Sequence, residues 1–280
     1  MSWIEKGILV GIDKIIFEHL KGDEIGTPPH YDKTSFCRSL TDPSLKDLDV
    51  LDLIKSINTQ IVLNYGTLGP ARSKQNWRWD PKREIAKENE SPEVRLEKAI
   101  VNISPEIWPE VVDWSNQVPT SSGLLGRYSD RKRSIDLIHR WQDGENVDYE
   151  FIELKVESNN PVYAALEIMV YGMLYVLSRA NREGMQYTAE LNPLLWARSI
   201  HLQVLAPRTY YVDHDLARLE KALNEALGDF LKGRGFGMDF EFQEFPQDFH
   251  PRRILNNTDS RDCKILAALR DRKPVYAKQD

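Results

Sequence analysis

Residues 133–175 constrain the chain more than any other stretch. Two runs rich in β-branched and aromatic residues, Arg133 to Trp141 and Tyr149 to Val156, flank Gln-Asp-Gly-Glu-Asn-Val-Asp. They predict a β-hairpin with Asp143-Gly144 at its turn. Side chains alternate along a strand, so Glu153 and Lys155 share one face while Ile152, Leu154 and Val156 share the other. Asp136 stands between Ile135 and Leu137, which point away from it. If both apolar sets face the core, Asp136, Glu153 and Lys155 project together from the opposite side. Ser158-Asn-Asn-Pro161 then caps a helix in which Val162 to Leu177 carries one charged side chain, Glu167. A helix apolar nearly all round is a buried one. The stretch falls short of the roughly 20 residues needed to span a bilayer, and no membrane partner is expected. Glu167 and Tyr171 lie at i and i+4, on one helix face.

Two carboxylates converging with an ammonium beside a sheet need a partner, because such charges are otherwise solvated or paired. A hard divalent cation supplies one, taking carboxylate oxygens and completing its shell with water and phosphate. A lysine two residues along the strand can then stabilise a phosphate or position an attacking water. The acid-x-Lys tripeptide alone carries no weight, since Asp80-Pro-Lys82, Asp130-Arg-Lys132, Asp262-Cys-Lys264 and Asp271-Arg-Lys273 also match. Only Glu153-Leu154-Lys155 lies in a strand-like run with an upstream strand-borne Asp and a downstream helix. The plain alternative is an amphipathic hairpin bearing a surface Glu–Lys pair.

Upstream, Ser91-Pro92-Glu93 reads as a helix start, with a serine cap, proline at the first position and an acid in the first turn. On that helix Glu97 falls between Ile100 and Val101, inside the apolar arc. Such a carboxylate either reaches a metal site or pairs with a nearby Lys or Arg, and Glu93 is its rival for the first role.

Asp136 followed by Glu153-Leu-Lys155, with Glu97 on the preceding helix and Glu167-x-x-x-Tyr171 on the following one, resembles the PD-(D/E)xK phosphodiesterase superfamily. That superfamily includes restriction endonucleases, repair nucleases and archaeal mismatch nucleases. Ile135 stands where the pattern has proline, and Glu167 where it has Gln. The resemblance implies an α/β, restriction endonuclease-like fold: a mixed β-sheet flanked by helices, here with an N-terminal extension. It implies Asp136 and Glu153 as metal ligands, the Leu154 carbonyl as a further ligand, Glu97 as a direct or outer acidic ligand, and Lys155 as the catalytic cation. Glu167 and Tyr171 would orient Lys155 or the metal-bound water. The implied cofactor is Mg²⁺ or Mn²⁺, and the implied substrate nucleic acid, DNA foremost.

At 280 residues the chain can bury a sizeable core. Its net charge of −6 and pI near 5.6 argue against a general cationic coat, so nucleic acid must meet a local patch. The densest such patch is Arg127, Arg131, Lys132 and Arg133, just before Asp136; a solvated loop is its alternative. Cys37 and Cys263 are isolated, so no cysteine zinc site is expected. No export signal is visible, and a reducing cytoplasm is the default.

The rest is read in outline. Residues 1–90 form an N-terminal extension or small lobe: a strand and short helix over Ile4–Leu20, a helix from Asp42-Pro-Ser-Leu to Ile57 and a short strand at Ile61-Val-Leu-Asn-Tyr. Trp77 and Trp79 could stack on bases, but tryptophans more often pin a loop to a core. Pro105 to Gln117 holds a short helix or turn. The nuclease-like core spans 91–245 and continues with a strand at Ser199–Leu205, an amphipathic helix over Asp213–Leu231, a glycine-rich turn and a last strand from Met238. Residues 246–280 are a basic tail with a short helix, Cys263–Arg270. The expected function is a metal-dependent nuclease, with a homodimer admissible. The alternatives are a nuclease-like binding or assembly module that lacks catalysis, and a nuclease specific for RNA or branched structures.

Overall fold

The computed structural model describes residues 7–20, 45, 47–68, 76–84, 91–120, 133–156, 160–256 and 260–276. Its centre is a six-stranded sheet in sequence order: β1 (Trp114–Pro119), β2 (Ser134–Asp143), β3 (Asn146–Leu154), β4 (Ser199–Pro207), β5 (Gly237–Phe245) and the short β6 (Lys273–Pro274). β1, β2 and β3 are antiparallel, β3, β4 and β5 parallel, and β6 returns antiparallel to β5. Among the described residues seven α-helices accompany it: α1 (Ile12–His19), α2 (Val50–Leu68), α3 (Pro92–Val101), α4 (Pro161–Ala180), α5 (Ala217–Leu231), α6 (Pro251–Leu255) and α7 (Arg261–Arg270). The chain is thus α/β, with a mixed sheet flanked by helices.

The hairpin forms where the sequence placed it. Asp143 pairs with Asn146 across the turn, and Gly144 takes φ +60, a region glycine enters without a Cβ clash. The expected segregation of its faces needs correction. Ile152, Leu154 and Val156 do share one cluster, with Leu137, α3 and α7. Ile135 belongs to the other cluster, with Phe151, Tyr149, α2, α4 and α5. Helices therefore cover both faces of the hairpin, and its charged residues stand at an enclosed strand end rather than on an open side.

Asn160 caps α4 by accepting the Val162 N–H at 2.8 Å, with Pro161 in the first position. The helix runs for 20 residues, longer than expected, and by length and composition it could cross a membrane. Its apolar window is 89% buried, packed on α2 and β4, as a core helix is. A Cβ at Gly172 would come within 3.0 Å of Leu202 Cδ1 and Met238 Sδ, so glycine permits this close approach to the sheet.

One secondary-structure expectation fails for a physical reason. The run from Ile61 is part of α2, not a strand: Val50, Leu53, Ile54, Ile57 and Ile61 continue one helical stripe, while Val62 and Leu63 are 46% and 59% exposed. Pro105–Gln117 does hold its short helix, a 3₁₀ turn at Pro109–Asp113, after which Trp114 begins β1. That strand is hard to read because its buried residues are polar. Ser115 and Asn116 are fully buried, and Asn116 is satisfied by the Lys82 backbone, accepting its N–H at 2.7 Å and donating to its carbonyl at 3.3 Å. The N-terminal strand expected before α1 is a turn over residues 8–11, and residues 4–6 lie outside the described residues.

Both flanking segments pack on the sheet. α1 and α2 join the cluster containing β2–β5, and Trp77 is buried against Phe151 and Tyr175, with centroids 6.1 and 5.7 Å away, so it pins its loop to the core. The C-terminal segment does contain its short helix, but Ile265, Leu266 and Leu269 are buried in the second cluster and Arg272 pairs with Glu150. α5 covers the stretch of the β5 edge that β6 leaves unpaired: Asn224 donates to the Phe240 carbonyl and accepts its N–H, and Glu220 accepts the Phe242 N–H.

Candidate active site

The start of β2 and the end of β3 meet between α3 and α4. A cavity of about 370 Å³ opens there, reached by Glu97 from α3, Gln117 from β1, Asp136 from β2, Glu153, Leu154 and Lys155 from β3 and its end, and Glu167 and Tyr171 from α4. All seven residues assigned by the sequence to the catalytic or metal site thus line one cavity. Of the expected phosphate contacts, Arg127, Arg131 and Lys132 lie outside the described residues. Arg133 turns into the site and donates from Nη1 to Glu167 Oε1 at 3.0 Å.

Each side chain is held by its element. The Asp136 carboxylate accepts the Leu154 N–H at 3.0 Å, tying β2 to β3 next to the acid-x-Lys segment. Lys155 follows the last residue of β3, and its N–H donates to the Leu205 carbonyl at 3.0 Å. Its ammonium pairs with Glu153 and lies 3.9 Å from Glu167 Oε2. Tyr171 donates its hydroxyl to Glu167 Oε1 at 3.2 Å, one helical turn away. Glu97 is fully buried. Its Oε2 accepts from Gln117 Nε2 at 2.5 Å, while its Oε1 is buried without a hydrogen-bond partner. Glu93, its rival, also lines the cavity, but both its oxygens are engaged: Oε1 accepts the Val156 N–H at 3.2 Å, and Oε2 accepts the Ser91 hydroxyl at 2.6 Å. Ser91 thus opens α3 without capping a backbone N–H.

Burial, and after it the repulsion between neighbouring carboxylates, governs the ionisation of these groups. Burial pushes the Glu97 carboxyl up to about 8, with Glu153 adding to the shift and the Gln117 hydrogen bond opposing it. Burial, then the charge of Glu97, hold Asp136 well above the ordinary carboxylate range; burial, then Asp136, do the same for Glu153. Burial works against the Lys155 ammonium, but Glu153, Asp136 and Glu167 overcome it and raise its pKa well above the usual lysine value. Burial and the Glu167 carboxylate raise the Tyr171 phenol.

These donors fit a hard divalent cation. They are oxygens, they repel one another, and the buried Glu97 Oε1 lacks a partner. Among the described residues no three acidic, histidine or cysteine side chains are already gathered as around a metal ion. Asp136 is held by the Leu154 N–H and Glu153 by Lys155 instead. Sequence reasoning missed Gln117 and Ser134. Ser134 donates its hydroxyl to Gln117 Oε1 at 3.1 Å, and neither residue belongs to a periodic or motif pattern that could have marked it. Comparison with protein-family models, curated proteins and solved structures gives no match.

Proposed function

We propose that the protein is a metal-dependent phosphodiesterase that hydrolyses nucleic acid, DNA foremost, with a restriction endonuclease-like core. The observation that carries this reading is that Asp136, Glu153 and Glu97 line one cavity with Lys155, with an unpartnered carboxylate oxygen on Glu97. The succession of α3, β1, β2, β3, α4 and β4 also supports it, because it supplies the helix acid, the two strands and the following helix in the order of the PD-(D/E)xK pattern.

Asp136, Glu153, Glu97 and the Leu154 carbonyl would hold Mg²⁺ or Mn²⁺. Such an ion, when bound, lowers the pKa of a coordinated water and neutralises charge on the scissile phosphate. Lys155 supplies a cation at the attacked phosphate. Its ammonium lies against Glu153 and near Glu167, which places it to act as an electrostatic stabiliser. Glu167 sets the direction of that ammonium, with Tyr171 and Arg133 fixing Glu167 in turn.

The test is cleavage of single-stranded and duplex DNA and RNA in Mg²⁺ or Mn²⁺ by the wild type and by Lys155→Ala. Wild-type cleavage that stops on chelation and falls at least about 100-fold in Lys155→Ala is expected. Full activity in the variant would sink the reading. The net charge of −6 favours a second reading, a nuclease-like binding or assembly module; it predicts nucleic-acid or protein binding without cleavage under any divalent ion.

A further inference from the structure

Gln117 has a backbone conformation that its neighbours do not explain. Among the described non-glycine residues with positive φ, Trp77, Gln186 and Ser260 lie in turns, whereas Gln117, at φ +49, lies inside a strand. The register pairs Asn116 with Leu137 and Val118 with Ile135, leaving Gln117 and Asp136 between two paired positions. A left-handed residue in mid-strand is costly and persists only where its surroundings enforce it, which is common at functional sites.

Its side chain shows what the kink achieves. Ser134 donates to Gln117 Oε1 at 3.1 Å, so the amide must turn its Nε2 toward α3, where it donates to Glu97 Oε2 at 2.5 Å. One oxygen of Glu97 is thereby fixed, and the other, Oε1, is left buried and without a partner beside Asp136 and Glu153 in the same cavity. A freely rotating carboxylate could offer a cation either oxygen or both. Here Gln117 already engages Oε2, which leaves Oε1 as the oxygen without a protein partner.

We propose that Gln117 is a positioning residue: its kinked backbone and its amide, oriented by Ser134, clamp Glu97 so that Oε1 alone is presented to the metal. The inference rests on the metal-dependent reading of the cavity. It adds a partner outside the ligand set, of the kind whose loss typically weakens metal binding about 10- to 100-fold.

The test uses the full chain and Mn²⁺ as probe. Gln117→Asn is the informative variant, because asparagine tolerates positive φ better than glutamine but its amide is one methylene too short to reach Glu97. Gln117→Leu, which keeps the bulk and removes the amide, is the second. By calorimetry both are expected to bind Mn²⁺ at least about tenfold more weakly than wild type, while Gln117→Asn, although its melting temperature in EDTA falls with the lost Glu97 hydrogen bond, stays fully folded at the titration temperature. Wild-type Mn²⁺ affinity in Gln117→Asn would overturn the inference and leave the metal site standing. A loss of affinity that accompanies unfolding in EDTA at the titration temperature would also overturn it, assigning Gln117 to the fold alone. A wild type that binds no Mn²⁺ would overturn both this inference and the reading beneath it.

Discussion

Asp136 accepts the Leu154 backbone N–H at 3.0 Å, so a side chain of β2 is bonded to the backbone of β3 between Glu153 and Lys155. The two halves of the acidic motif, far apart in sequence, therefore hold one another in place before any ligand arrives. Accumulating carboxylates in a buried space costs stability, and that cost varies with pH and with a bound cation.

Glu97 is the sharpest case. Its folded pKa of about 8 lies above the ordinary carboxyl value of 4.5, so folding favours its protonated form. That contribution is complete below about pH 4.5 and lost as pH rises through about 8. The loss is on the order of 5 kcal/mol at full ionisation. Glu97→Gln keeps the shape and cannot ionise. Its melting temperature in EDTA should therefore fall less than that of the wild type between pH 6 and 9, and its stabilisation by Mg²⁺ should be smaller. Parallel wild-type and variant curves would show that Glu97 does not carry the effect.

Glu150 titrates in the opposite sense. Burial opposes its ionisation, but the His139 hydrogen bond and the Arg272 guanidinium bring its pKa down to about 2 from 4.5. This stability is present above about pH 4.5 and is lost as pH falls toward about 2, on the order of 3 kcal/mol. The stability advantage of wild type over Glu150→Gln should shrink by that amount across the window. A constant difference from pH 6 to pH 2 would contradict it.

Asn224 tests the fold apart from the site. Its side chain supplies two hydrogen bonds to the stretch of the β5 edge that β6 leaves unpaired, both to Phe240. Asn224→Ala should lose about 1–3 kcal/mol by denaturant unfolding, with Mn²⁺ affinity unchanged. A shift in metal affinity would mean that the β5 edge is coupled to the cavity, which lies beyond β4.

How far the sequence could be read depended on whether a residue's environment repeats with a period. The hairpin, α4, α5, β4 and β5 carry strong alternation or stripes, and the structure contains them. β1 carries none, because Ser115, Asn116 and Gln117 are polar residues on a buried strand; the needs of Asn116 are met by Lys82 and those of Gln117 by Glu97 and Ser134, remote in sequence. The length of α4 was hidden by the polar residues of its last turn, Ser178 and Arg179, which are satisfied by the Leu174 carbonyl and by Tyr175 with the Leu195 and Ala197 carbonyls. The candidate site was more legible than its support. Glu97, Asp136, Glu153, Lys155, Glu167 and Tyr171 stand out as charged or polar groups in apolar runs, whereas Gln117 and Ser134 matter only through contacts between elements. The enclosure of the charges was likewise invisible, since alternation in β2 and β3 implied one open face and both are covered.

The most direct measurement is a calorimetric titration of Mg²⁺ and Mn²⁺ into the wild type and into the Asp136→Ala, Glu153→Ala double variant, both checked for folding. Saturable binding by the wild type that the double variant loses is the predicted result. No binding by the folded wild type at millimolar ion, or equal binding by both proteins, would contradict the assignment of these carboxylates to a metal site.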